Sequence, residues 1–119
     1  ILNYGHTLAH AIERANDYTW RHGNAVAIGC CFAARLAQAR GLLSADDVSH
    51  HDQLFSRVGL PTRYEGSTLD ELTHIMLSDK KVRRGILRFV LLDGIANPGT
   101  VSVDPQELRA PASQIGIRA

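Results

Sequence analysis

Three of the six histidines in this 119-residue chain, His6, His10 and His22, fall in one short stretch, GHTLAHAIERANDYTWRHG. His6 and His10 are four residues apart, so on a helix they share a face. Two histidines at that spacing can bind one metal. The zinc-protease pattern needs Glu directly after the first histidine, and Thr7 stands there, so that chemistry is excluded. His22 precedes a second apolar segment and can fold back beside the first. Glu13 continues the His6–His10 face by one turn, as a ligand, a carboxylate behind a ligand or a solvated charge. A catalytic zinc usually takes three protein ligands and keeps one open position, so two histidines need a third group from this chain or from outside it. The competing reading is that all these side chains are ordinary polar residues on a helix face. Asn3 either caps a helix or offers its amide to a substrate oxygen near free backbone N–H groups. Gly5 lets the backbone approach a ligand closely. Imidazole and amide groups converging in this way suit an oxygen-rich, anionic small molecule.

These side chains need a scaffold, and the composition supports one. Hydrophobic residues make up 45% of the chain, which suits one folded domain with one core. The formal net charge is +1, from 13 basic and 12 acidic residues, and no basic block marks a nucleic-acid partner. The longest apolar run, Ala25 to Ala34, is too short to span a bilayer, so no membrane partner is expected. No signal peptide is evident, and cytoplasm is the default. Cys30 and Cys31 are adjacent; neighbours on a helix point apart, so they read as core thiols rather than as a disulfide. The chain begins Ile-Leu-Asn and its only methionine is Met76, which reads as a piece of something longer.

The pattern predicts a mainly α domain with a small β-hairpin near its end. Leu2 to about Ala15 reads as a helix with Leu8, Ala11, Ile12 and Ala15 as its apolar stripe, broken by Asn16-Asp17. A linker with Tyr18 and Trp20 follows. His22 to Arg40 reads as a longer, buried helix whose Ala, Gly and Cys residues let neighbours approach closely, stopped by Gly41. Ser44 with Asp47 should open a third helix, ending near Gly59, and Ser67 with Asp70 a fourth, its buried face marked by Leu69, Leu72 and Met76. Ile86 to Leu92 reads as a strand, Asp93-Gly94 as a turn, and Gly99 to Val103 as the returning strand. Asp104-Pro105 should start a last short helix that Pro111 limits.

Three blocks, LNYGHTLAHAIE, HGNAVAIG and DKKVRRGILRFVLLDG, resemble the 3-dehydroquinate synthase family in order and spacing, and the likeness covers nearly the whole chain. It is to the C-terminal, mostly helical domain; residues 1–119 then form the metal- and substrate-binding domain, and the N-terminal NAD-holding α/β domain is absent. The resemblance implies the shikimate-pathway conversion of 3-deoxy-D-arabino-heptulosonate 7-phosphate to 3-dehydroquinate and phosphate. It also implies NAD and a divalent metal, zinc or cobalt, as cofactors, and a homodimer as the full-length state. NAD would oxidise one substrate hydroxyl transiently, easing loss of phosphate before the hydride returns. Matched residue by residue, His6 and His22 fall on metal ligands, and the third ligand is a Glu in the missing part. His10 and Asn3 fall on the catalytic, substrate-contacting pair near the phosphate, and Lys80 and Lys81 lie where a lysine approaches that phosphate. Arg88 is a further phosphate candidate. Ala9, Asn24 and Cys30 depart from the residues usual in the family (Gly, Glu and Met) without removing a ligand. Two other readings remain: a related sugar-phosphate cyclase, and a non-catalytic helical module, the latter favoured by the lack of a Gly-rich dinucleotide motif.

Overall fold

The computed structural model describes residues 4–78, 86–93 and 97–119. In chain order they form α1 (His6–Ala15), α2 (His22–Ala39), α3 (Ala45–Arg57), α4 (Leu69–Ser78), β1 (Leu87–Asp93), β2 (Asn97–Val103), a 3-10 turn (Pro105–Leu108) and α5 (Arg109–Gln114). The expected class, helices plus one small hairpin, is what the chain adopts.

The first helix begins four residues later than its periodicity suggests. Gly5 takes φ 78°, a left-handed value that a right-handed helix cannot include, so the helical run opens at His6. Leu8, Ala9, Ala11 and Ile12 are buried. At the far end the Asn16 side chain donates back to the Ile12 carbonyl at 2.8 Å. Asp17 and Tyr18 then both take positive φ, 52° and 59°, which turns the chain sharply. The linker is pinned by Trp20, which meets Tyr64 edge-to-face with centroids 5.1 Å apart. Asn16 Nδ2 also donates to the Tyr64 hydroxyl at 2.7 Å. These contacts deliver His22 to the start of α2.

The second helix is the centre of the molecule, with Ala25, Ile28, Cys31, Phe32, Ala34, Leu36 and Ala37 all buried. It touches α1, α3, β1 and α5. Its small residues do what the composition suggested. A Cβ added to Gly29 would sit 1.9 Å from the Gly5 carbonyl oxygen, and one added to Gly5 would sit 2.7 Å from the Cys30 amide nitrogen. The two segments therefore meet backbone to backbone, at the residue preceding His6.

Helix α3 opens with the expected box: Asp47 N–H donates to Ser44 Oγ and Ser44 N–H to the Asp47 carboxylate, each at 3.1 Å. A two-pronged Arg35–Asp52 pair, at 3.0 and 2.6 Å, ties α3 to α2. Helix α4 is boxed one residue later than Ser67 and Asp70 suggest. Thr68 and Glu71 make the reciprocal bonds, at 3.2 and 3.1 Å. Ser67 instead turns inward and pairs with the Tyr64 hydroxyl at 2.8 Å.

The hairpin runs one residue later on its first strand and two earlier on its second, because pairing continues from Leu87↔Val103 to Asp93↔Asn97. Pro98 is admitted since both strands of a two-stranded ribbon are edges. The expected turn at Gly94 lies outside the described residues. Leu87, Phe89 and Leu91 face the core, and Phe89 packs on Phe32 at 5.6 Å. Asp104 caps the 3-10 turn as expected, accepting from Gln106 N–H at 2.9 Å. Pro111 does not end the last helix; it occupies the third position of α5, in the first turn, where a missing N–H costs least.

Candidate metal and substrate site

The histidines meet where the start of α1 faces the start of α2. The His6 ring lies 5.6 Å from that of His22 and 5.7 Å from that of His10, centroid to centroid. One helical turn makes the second approach. The Gly5–Gly29 crossing and the pinned Tyr18–Trp20 linker make the first. His6 is half-buried, and His10 and His22 are exposed.

What lies behind each ring separates them. His6 Nδ1 lies 3.2 Å from the Tyr4 carbonyl oxygen. His22 Nδ1 lies 3.2 and 3.3 Å from the two carboxylate oxygens of Glu13. Carbonyl and carboxylate oxygens only accept, so both Nδ1 atoms carry hydrogen. In the neutral imidazole this leaves the Nε2 lone pair free on His6 and on His22. A metal-binding histidine is usually held in this way, its distal nitrogen donating to a carbonyl or carboxylate that fixes tautomer and ring orientation. His10 has no such backing among the described residues. The donor set thus fits a divalent cation at two positions, and His10 is set apart beside them. Glu13 keeps only 13% of its side chain exposed, against 59% for His22, and of its three possible roles it takes the one behind the ring.

Two histidines fall one short of the three protein ligands a catalytic zinc usually takes. Among the described residues no group of three or more His, Cys, Asp or Glu side chains is placed to hold a metal. A 470 Å³ surface cavity, lined by Arg63, Glu65, Arg109 and Arg118 among others, contains none of the histidines. Asn3, Lys80 and Lys81 lie outside the described residues. Arg88 has an exposed side chain, and its carbonyl accepts from Thr7 Oγ1 at 3.0 Å, which brings β1 alongside the residue after His6.

Of the departures from the family pattern, Ala9 is fully buried and Asn24 half-buried at the mouth of α2. Cys30 is buried, with Sγ 3.7 Å from the Tyr4 carbonyl oxygen. Burial pushes its thiol up to about 11, so it stays protonated and can donate weakly to that carbonyl. Tyr4 was not visible as a site residue in the sequence. It acts through a backbone carbonyl, which no side-chain pattern records; its place two residues before His6 was the one available signal.

Comparison with known proteins identifies the family of the domain. The family model of the 3-dehydroquinate synthase C-terminal domain matches residues 1–82. A 3-dehydroquinate synthase of Mycolicibacterium gilvum is 49% identical over 116 residues, covering 97% of this chain and 32% of the relative. One from Nocardia farcinica is 51% identical, covering 97% and 31%. The chain thus spans about a third of the length of the curated relatives it matches. Among solved structures, a 2-deoxy-scyllo-inosose synthase complexed with carbaglucose-6-phosphate, NAD+ and Co2+ superposes with a TM-score of 0.81 at 29% identity, over 94% of this chain and 32% of that one. A 2-epi-5-epi-valiolone synthase from Streptomyces hygroscopicus with NAD+ and Zn2+ bound gives 0.83 at 25% identity, over 95% and 32%.

Proposed function

Because this chain belongs to the 3-dehydroquinate synthase family, as its C-terminal domain, we propose that it supplies the metal-holding and substrate-contacting part of an enzyme that converts 3-deoxy-D-arabino-heptulosonate 7-phosphate to 3-dehydroquinate and phosphate. The observation that carries this is the pair of backed imidazoles, His6 on the Tyr4 carbonyl and His22 on Glu13, both with Nε2 free. His6 and His22 hold the divalent cation, zinc or cobalt, and a third ligand comes from outside the 119 residues, as does the NAD-holding α/β domain. When bound, the cation supplies Lewis-acid polarisation of a substrate hydroxyl and NAD the transient redox chemistry. The chain's own residues position the substrate. His10, beside the ligand pair, and Asn3 contact it near its phosphate, and Lys80 or Lys81 neutralises phosphate charge. The two buried, free thiols suit a reducing cytoplasm, and the whole enzyme is a homodimer in this reading.

The second reading, a cyclase making a different carbocycle, draws on the two solved relatives, one a 2-deoxy-scyllo-inosose synthase and one a 2-epi-5-epi-valiolone synthase. The higher identity of the dehydroquinate synthases favours the first. The experiment is a graft: this chain replaces the C-terminal third of the Mycolicibacterium gilvum relative, and phosphate release and dehydroquinate formation are followed. The graft should turn over the heptulosonate phosphate, and the 119 residues alone should not. A folded, metal-loaded graft without dehydroquinate formation, or turnover by the isolated chain, contradicts the proposal.

A further inference from the structure

Tyr4 stands just ahead of α1 and reaches across to α3. Its hydroxyl lies 2.9 Å from His51 Nε2, and His51 Nδ1 lies 2.8 Å from the Asp47 carbonyl oxygen. The carbonyl only accepts, so His51 Nδ1 carries the hydrogen and Nε2 accepts from the phenol. Both His51 nitrogens are thereby committed, and the two rings lie tilted at 60° with centroids 5.9 Å apart. The other acceptor near the phenol, the Cys30 carbonyl, is 3.5 Å away, at the limit of a hydrogen bond.

The same residue's backbone carbonyl takes the His6 Nδ1 hydrogen at 3.2 Å. That carbonyl lies outside the helical ladder, whose first bond into this region runs from Ala9 N–H to the Gly5 carbonyl. Gly5, with φ 78° and packed against Gly29 and Cys30, turns the chain between Tyr4 and the helix, so the Tyr4 carbonyl points back to His6 instead of entering the helical ladder. The geometry points to His51 as a positioning residue for His6. By anchoring the Tyr4 side chain to α3 it holds the Tyr4 carbonyl in place, and the carbonyl fixes the tautomer and direction of the His6 ring. The inference rests on the reading of His6 as a metal ligand, but its effect on the His6 tautomer can be read without any metal.

The test uses the grafted enzyme, in which the third ligand is supplied, with Tyr4→Phe, His51→Phe, the double variant and His51→Gln. Glutamine keeps an acceptor for the phenol and an amide that can donate. Two quantities are read: the 15N shifts of the His6 imidazole without metal, and the zinc affinity. The wild type should show His6 predominantly with hydrogen on Nδ1. Tyr4→Phe and His51→Phe should each mix the tautomers and weaken zinc about three- to tenfold, somewhat less than loss of a direct partner behind a ligand. The double variant should be no worse than either single change, because both remove one bond, and His51→Gln should retain the wild-type tautomer. If zinc does not bind but the tautomer responds as described, the metal reading fails and the positioning role stands. An unchanged His6 tautomer in Tyr4→Phe and His51→Phe, additive losses in the double variant, or His51→Gln behaving like His51→Phe overturns it.

Discussion

At the scale of single residues, the three histidines divide by what lies behind them rather than by where they lie in the sequence. Their spacing allowed metal binding but favoured an ordinary polar face, and only the family resemblance separated His10 from the other two. The structure adds a physical ground: a carbonyl behind His6 and a carboxylate behind His22. Glu13 follows from this. Its carboxylate lies behind His22, and in the proposed site it would orient that ring and add negative charge near the cation, so Glu13→Ala should weaken metal binding by about 10–100-fold. Glu13→Gln, which keeps an acceptor without the charge, should fall between Glu13→Ala and the wild type. Competition with a chromophoric chelator reads both, and wild-type affinity in Glu13→Ala would contradict the role. The residue types left Glu13 open between a ligand, a carboxylate behind a ligand and a solvated charge, and did not choose among them. Glu13 is nine positions from His22, a separation no helical period pairs, and the contact exists because the chain reverses between them.

At the scale of elements, the site depends on the close crossing of α1 and α2. Gly29→Ala puts a methyl where the Gly5 carbonyl oxygen lies, 1.9 Å from the new carbon. Neither partner is a flexible side-chain end, so the helices must separate. The expected cost is about 3 kcal/mol or more, at the upper end for overpacking, read as a lower urea midpoint. A stability within about 0.5 kcal/mol of wild type would show that the crossing is looser than drawn. Ser44→Ala removes one acceptor from the α3 box and should cost about 1 kcal/mol, with no effect on metal affinity. The helices and the hairpin were legible because their periodicity and caps are local. The misplacements came from contacts distant in sequence. Gly5 ends the first helix's reach by its φ, a choice made by the crossing with Gly29. Ser67 loses the capping role to Thr68 because Tyr64, packed under Trp20, takes its hydroxyl. A sequence reading weighs the cap and cannot see the distant ring.

At the scale of the whole molecule, one core joins α2 to every layer that shapes the site, while Arg35–Asp52 and Arg40–Glu107 tie the outer elements to it. Partial burial alone would push the Asp52 carboxyl up, but the Arg35 guanidinium outweighs that and holds it below its ordinary value of 3.8. A carboxylate lowered on folding stabilises the fold fully above its unfolded value, and that stabilisation is lost as pH falls through the lowered folded value. Melting temperature should therefore hold steady from neutral pH down to about 4 and decline below it. Asp52→Asn should start lower and show a shallower acid decline; an unchanged acid slope would remove the pair from the account. In the proposed function the two backed histidines, His6 and His22, are part of a metal centre completed by another part of an enzyme. The most direct measurement is zinc or cobalt content and affinity in the grafted enzyme, comparing His6→Ala, His22→Ala and His10→Ala. The account predicts that the first two lose the metal, while His10→Ala keeps it within a few-fold and loses substrate handling instead. Equal metal loss in all three variants, or full metal retention in His6→Ala and His22→Ala, would contradict it.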